Sequence, residues 1–468
     1  MALAGAKLWK ESATLILLAR NSKAQVKTDK FDYKVLVLKR SAKSGFMPCS
    51  LVFPGGVIEK GDSSRDWLAL YESLGVSSSS LKRVTHVSGE RPPIFQYKPS
   101  ELEMKREISL RISCIRETFE ELGVLLCRDK EDIQREAENE SVASQFATFK
   151  SIEEVKNWQT KVHNDHNEFI HLCETHSLVP DIWGTHEWSA WLTPTALKGP
   201  RFEAAFYLAA VNEVPEVYAE KTEVQNARWN SPAELLELHD KEQEWLPPPQ
   251  HYELSRLAGV EQLDNVATFA KQRSSKGTKL FYPIFVNAKD GIIHLLPGDK
   301  HYPEKPNLEN GEGDAKHQND IPMEKQRPSD GPVHRTEHRQ RFFKMQLVVS
   351  EFEPHCGHLK PIINTKPKPV VDSKLKVTVN VAKPQQTKKT VVVDAKTKVT
   401  PVADAKTKVT PVADKSKQVK PIVNKEKPKD DVAKTNLKKT EVKPSTSPKK
   451  IASKEEVKPV ESKDKPEQ

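Results

Sequence analysis

The sequence predicts an α+β fold: strands and helices that build one folded body, followed by a tail that builds no core. Three observations carry this. Short, almost wholly apolar runs recur along the first three hundred residues. A helix-period stripe ends in a cluster of glutamates and a glycine. From about residue 365 onward aromatics, glycine and arginine vanish. Apolar runs of 6–10 residues bounded by polar turns are the mark of strands buried on both faces. A segment without bulky apolar groups cannot offset the entropy of ordering itself.

Ser12–Ala19 and Tyr33–Leu38 read as the first two buried strands. A loop from Lys39-Arg40-Ser41 leads to Phe53-Pro54-Gly55-Gly56, where glycine lets backbone come close to a ligand. Residues 63–108 read as an excursion with its own small apolar cluster around Trp67, Leu68 and Leu70. Ile108, Ile112, Ile115, Phe119 and Leu122 then form one helical stripe. Glu117, Glu120 and Glu121 fall on the opposite, exposed side, and Gly123 is placed to cap the helix in the left-handed conformation. Residues 131–176 read as helical, with Ile152, Val155, Trp158 and Val162 on one stripe and His163, His166, His171 and His176 in solvent.

Strands return at Glu187–Leu192, Phe202–Val211 and Ala227–Trp229. Ser231-Pro232 reads as an N-cap followed by proline at the first helical position, and Pro247–Gln250 opens a further helix. Phe281–Leu296 reads as a hairpin turning at Asp290-Gly291. Residues 304–333 read as a mobile loop. Residues 336–353 regain pattern at Phe342, Phe343, Leu347 and Val349. His355-Cys356-Gly357-His358 lacks a second ligand pair and reads as a loop.

Charge is unevenly distributed. Residues 365–468 hold 27 lysines against 13 acidic residues, a net of +14, which leaves −5 of the chain's +9 for residues 1–364. The tail, which carries a tandem ten-residue repeat at 394–413, is expected to be disordered; it reads first as a solvated spacer, since Asp and Glu dilute its lysines, and alternatively as a contact for an acidic partner. Five cysteines without a C-x-x-C pair indicate a reducing compartment, and no apolar run reaches the ~20 residues of a membrane span. The N-terminus shows no secretory signal pattern.

Three carboxylates within one turn and a half repel one another unless a cation lies among them. Oxygen-only ligands suit Mg²⁺ or Mn²⁺, and those ions suit phosphate chemistry. Arg116-Glu117-Thr118-Phe119-Glu120-Glu121-Leu122-Gly123-Val124 resembles the second half of the Nudix box, and Gly56 with Asp62 resembles its first half. Asp62 stands where the family usually has Glu, and Thr118 where it has an aliphatic residue. The two halves are separated by 53 residues, 46 more than the usual spacing.

The resemblance implies an α/β/α sandwich with a mixed sheet between helices, split in its box by the 46-residue insertion, and metal-dependent diphosphate hydrolysis. It also implies Glu117, Glu120 and Glu121 as metal ligands, Gly55 and Gly56 as a substrate-contacting turn, and Arg116 as the residue that orients a ligating glutamate. The general base is a box glutamate, Glu120, or a carboxylate on a later loop, for which Glu223 is the candidate.

Arg40-Ser41 upstream of Phe53-Pro54-Gly55-Gly56 resembles an additional signature of coenzyme A-hydrolysing Nudix enzymes. Gly45 and Cys49 depart from its second arginine and its glycine. Phe46-Met47-Pro48, Trp245–Leu254 and Asp290–Asp299 resemble the peroxisomal acyl-coenzyme A diphosphatases of that family. Coenzyme A and its thioesters are then the implied substrates, with Arg40 and Lys43 meeting the 3′-phosphate. A Nudix hydrolase of NADH or ADP-ribose and a silent Nudix-fold binding module are the alternatives. The implied domains are 8–260 for hydrolysis, 261–364 as a C-terminal extension and 365–468 as tail. The implied address is the peroxisome, yet the chain ends Pro466-Glu467-Gln468 and not in a peroxisomal tripeptide, so cytosol or mitochondrion stay open.

Overall fold

The computed structural model describes residues 9–21, 30–137, 144–310, 318–339 and 345–363. The tail, its repeat, and Phe342 and Phe343 lie outside the described residues.

The chain opens with strands β1 (Lys10–Arg20), β2 (Tyr33–Arg40), β3 (Leu51–Val52) and β4 (Gly55–Val57). Helices α1 (Asp66–Ser73), α2 (Ser78–Val84) and α3 (Arg106–Leu122) follow, then β5 (Cys127–Arg128), α4 (Lys130–Ala137), α5 (Val155–Asn164) and α6 (Glu168–His176). Next come β6 (Val179–Pro180), β7 (Thr185–Leu192), β8 (Phe202–Val211), β9 (Val224–Asn230), α7 (Pro232–Asp240), α8 (Pro248–Leu257) and α9 (Leu263–Arg273). Strands β10 (Leu280–Phe281), β11 (Ile284–Ala288), β12 (Gly291–Leu295), β13 (Val333–His338) and β14 (Met345–Ser350) complete the folded body.

Eight strands form the main sheet in the order β10-β7-β8-β1-β2-β3, with β4 on β1 and β9 on β2. It is mixed: β1 runs parallel to β8 and β10 to β7, and the other pairs are antiparallel. The uninterrupted apolar run of β1 has a simple cause. Ala13, Leu15, Leu17 and Ala19 enter the core on the α3 face, whereas Ile16 and Leu18 enter the core shared with α7, α8 and α9. Both faces are covered, as a near-continuous apolar strand requires. This is the α/β/α sandwich. A second, four-stranded sheet, β11-β12-β13-β14, includes the anticipated Asp290-Gly291 hairpin. Ser231 caps α7 in a full capping box with Glu234.

Four sequence expectations change. The insertion has no core of its own: Trp67, Leu70, Tyr71, Leu81 and Ile94 join the same cluster as Ile112 and Phe119 of α3. Residues 131–176 form three helices and not one run, with residues 138–143 outside the described set. The segment read as a mobile loop is anchored at Met323, which is fully buried and donates its N–H to Asp290 Oδ1 at 2.8 Å. Glu121, assigned to an exposed face, is only 5% exposed.

Ile115 has no exposed surface and sits within the α3-face core. Ile115→Asp places an unpaired charge there, at a cost of roughly 4 kcal/mol or more. The variant is expected to lack a cooperative melt by circular dichroism; a parent-like melting curve would mean that this face of α3 is not the buried one.

Candidate active site

The site is assembled around Arg116, which is 2% exposed. Its Nε donates to Asp62 Oδ1 at 2.7 Å and its Nη2 to Asp62 Oδ2 at 3.0 Å, a bidentate pair that joins the two halves of the split box. Nη2 also reaches Val57 O at 3.2 Å and Glu117 Oε1 at 3.0 Å, and Nη1 reaches Glu120 Oε2 at 3.0 Å. Asp62 is held in turn by the N–H of Glu59 at 2.9 Å. Every face of the guanidinium is engaged, and this fixes two of the three glutamates relative to the turn before the insertion.

Glycine is required at both turn positions by close approach. A Cβ on Gly56 would stand 2.4 Å from the Glu117 carboxylate, and one on Gly55 would stand 2.4 Å from the carbonyl oxygen of Ala13. The Gly55 N–H donates to Glu121 Oε2 at 3.0 Å. Gly123 ends α3 at φ 72° with its N–H on Phe119 O at 2.7 Å, the cap anticipated from sequence. The backbone beyond it is tied back to α3: Tyr218 N–H to Leu122 O and Glu220 N–H to Glu121 O, both at 2.8 Å.

The remaining sequence candidates are distributed as follows. Glu223 is exposed on this returning loop, and its charge acts on Glu120 and Glu121. Its carbonyl accepts the N–H of Ser41 at 2.9 Å, which draws the loop after β2 towards the site. Arg40 lies near Glu121, on which its charge acts, and its Nε donates to Phe46 O at 3.1 Å. Lys43 is exposed on the same loop.

His163, expected in solvent, instead places Nδ1 3.0 Å from Glu120 Oε1 and is 28% exposed. Arg116 and His163 therefore hold one oxygen of Glu120 each. Gln159, one turn earlier on α5, donates to Glu120 O at 3.2 Å. Nothing in the spacing of the chain signals this, because the position of α5 is set by packing. In the His355–His358 loop the two imidazoles turn to different carbonyls, Pro297 O and Trp188 O, both at 3.1 Å.

Burial pushes the Glu117 carboxyl up to about 7; Arg116 opposes the shift, and Glu120 and Asp62 add to it. Burial and then Glu117 hold Glu121 well above the carboxylate range, and burial raises Glu120. Desolvated carboxyls that repel each other fit a hard divalent cation, which would relieve both penalties at once. As the side chains stand, Arg116 draws Glu117 and Glu120 to itself, and among the described residues no three His, Cys, Asp or Glu side chains converge into a group that could hold an ion.

Residues 9–257 match the family model described as the NUDT19 Nudix domain. The chain belongs to the Nudix hydrolase family. Residues 285–342 match the NUDT19 C-terminal domain. Among curated relatives, a Xenopus laevis protein named acyl-coenzyme A diphosphatase NUDT19 is 37% identical over 323 residues, covering 64% of this chain and 83% of its own length. Its Homo sapiens namesake is 34% identical over 315 residues, covering 64% and 82%. A solved Nudix hydrolase from Alicyclobacillus acidocaldarius is 18% identical, covers 57% of this chain and 97% of its own, and superposes with a TM-score of 0.40. The Nudix helix of this chain is α3, and its box is interrupted by α1 and α2.

Proposed function

We propose that this Nudix hydrolase cleaves the diphosphate of coenzyme A and acyl-coenzyme A, giving adenosine 3′,5′-bisphosphate and (acyl-)4′-phosphopantetheine. The observation that carries the proposal is the similarity, over 64% of this chain, to proteins named acyl-coenzyme A diphosphatases.

Glu117, Glu120 and Glu121 would hold Mg²⁺ or Mn²⁺. Such an ion neutralises diphosphate oxygens that otherwise repel a nucleophile. Arg116, locked to Asp62, keeps Glu117 and Glu120 in place. Gly55 and Gly56 let the turn pack directly against the Ala13 backbone and the Glu117 carboxylate, which sets the turn that would contact the substrate beside the carboxylates. Glu223, exposed beside Glu120 and Glu121, takes the proton of the water that attacks phosphorus as the bridging P–O bond breaks. Arg40 and Lys43 meet the 3′-phosphate, where fixed cations are needed on a body of net negative charge.

A substrate panel with Mg²⁺ tests the assignment. The kcat/KM for coenzyme A is expected to exceed that for NADH and ADP-ribose by at least about tenfold; equal or better turnover of NADH would overturn it. His163→Ala removes one of the two groups holding Glu120. It is expected to raise the Mg²⁺ concentration for half-maximal rate by roughly tenfold, and a Mg²⁺ titration of the rate checks this.

A further inference from the structure

A cavity of about 480 Å³ lies at the far edge of the main sheet, between the insertion, β10 and the loop that follows the β11–β12 hairpin. Pro92, Pro93, Leu280, Tyr282, Pro306 and Leu308 supply its apolar wall. Its cations, and the carboxylates of Glu90 and Asp299, are paired among themselves or with the surroundings. Lys279 Nζ meets Glu90 at 2.6 Å, Arg91 is shared between Glu187 and Glu107, and Asp299 holds Arg335 at 2.6 Å. The Thr278 hydroxyl is buried beneath the wall and does not open into the cavity. The cavity thus suits a largely apolar, uncharged group, and has no spare cation for a phosphate.

Its place in the sheet is defined by strand register. Gly56 pairs with Ala13, Ala13 with Ala205, Ala205 with Ala190 and Ala190 with Leu280. The glycine turn of the active site and the cavity wall therefore lie on one row, four strand spacings apart, roughly 19 Å. An extended pantetheine arm reaches roughly 15 Å from the diphosphate at peptide-like extension, which brings its sulfur close to that edge.

Partly exposed side chains mark a track along the same end of the sheet. Phe46, on the loop carrying Arg40 and Lys43, contacts Phe202 with ring centres 4.9 Å apart. The neighbouring Arg201 lies over Trp9 at 5.3 Å and reaches Tyr282, in the cavity wall, at 5.9 Å.

We infer that this cavity receives the thioester-linked acyl chain of the substrate, with Phe46, Phe202 and Trp9 lining the path of the pantetheine arm. The inference rests on the proposed coenzyme A reading. The insertion that splits the box and the C-terminal extension then share one task, since each contributes a wall.

The test compares free coenzyme A with a decanoyl thioester. Leu308→Glu puts a charge into the apolar wall on a half-exposed loop residue. Leu308→Glu is expected to lower kcat/KM for decanoyl-coenzyme A at least tenfold and to leave that for free coenzyme A within twofold. Thermal stabilisation of the parent by decanoyl-pantetheine, which lacks the nucleotide, should be lost in Leu308→Glu. Equal effects on both substrates, or none on either, would overturn the acyl site. Failure of the parent to cleave either compound would instead overturn the coenzyme A reading.

Discussion

Glu121→Gln is expected to reduce turnover by about 10³-fold or more while the protein melts at or above the parent temperature in metal-free buffer. The two effects have separate causes. Glu121 is buried, next to Glu117, with one oxygen on the Gly55 N–H, and its carboxyl is held well above its ordinary range. A neutral amide of the same shape keeps the oxygen that accepts from Gly55 and removes the buried charge, so the fold loses nothing. It also removes an anionic donor from the cation site, and the rise in melting temperature produced by Mg²⁺ should disappear with it. Melting curves with and without Mg²⁺, run beside the activity assay, check both halves. Retained activity at ordinary Mg²⁺ would remove Glu121 from the site.

Acid should unfold this protein between pH 7 and 5. Seven histidines, six buried and His358 half-buried, are held neutral, in each case chiefly by desolvation. His186, His251 and His334 are pushed down to about 3, His239 and His338 to about 4, and His294 and His358 well below their ordinary value. His334 is an example: Nδ1 lies 2.6 Å from Pro297 O and Nε2 2.7 Å from the Tyr252 hydroxyl, so both ring nitrogens are satisfied in the neutral form, and burial penalises the cation. Each folded pKa lies below the unfolded value near 6.5. The stabilisation is therefore complete above that value and is lost as pH falls towards the folded pKa. At pH 5.5 each such histidine costs on the order of 1 kcal/mol, so together they rival the 5–15 kcal/mol of a whole domain. Glu117, Glu120 and Glu121 act with the opposite sign, since their raised folded values favour folding as pH falls, but they are three against seven. A melting temperature that falls by tens of degrees from pH 7.5 to 5.5 is expected; a flat profile would contradict it.

How much of this was legible in the sequence depended on whether the governing interaction was local. β1, β2 and β8 were readable because strands buried on both faces must be apolar along their length. The cap at Ser231 and the left-handed Gly123 are set by a few neighbouring residues. The glutamate cluster was legible because it falls within one and a half turns of α3. Burial of Glu121 was not, since exposure on a helix depends on what packs over it, and here the Gly55 turn and the backbone after Gly123 do so. His163 was read as solvated for the same reason: its partner, Glu120, is 43 residues away. The insertion looked self-contained because its apolar residues are clustered in sequence, yet they extend the core that α3 already forms.

Mass analysis of the products formed from coenzyme A and Mg²⁺ tests the central claim most directly. Adenosine 3′,5′-bisphosphate and 4′-phosphopantetheine in equal amounts, both absent with Glu121→Gln, are the predicted result. Release of inorganic phosphate with dephospho-coenzyme A, or intact coenzyme A after prolonged incubation, would contradict it.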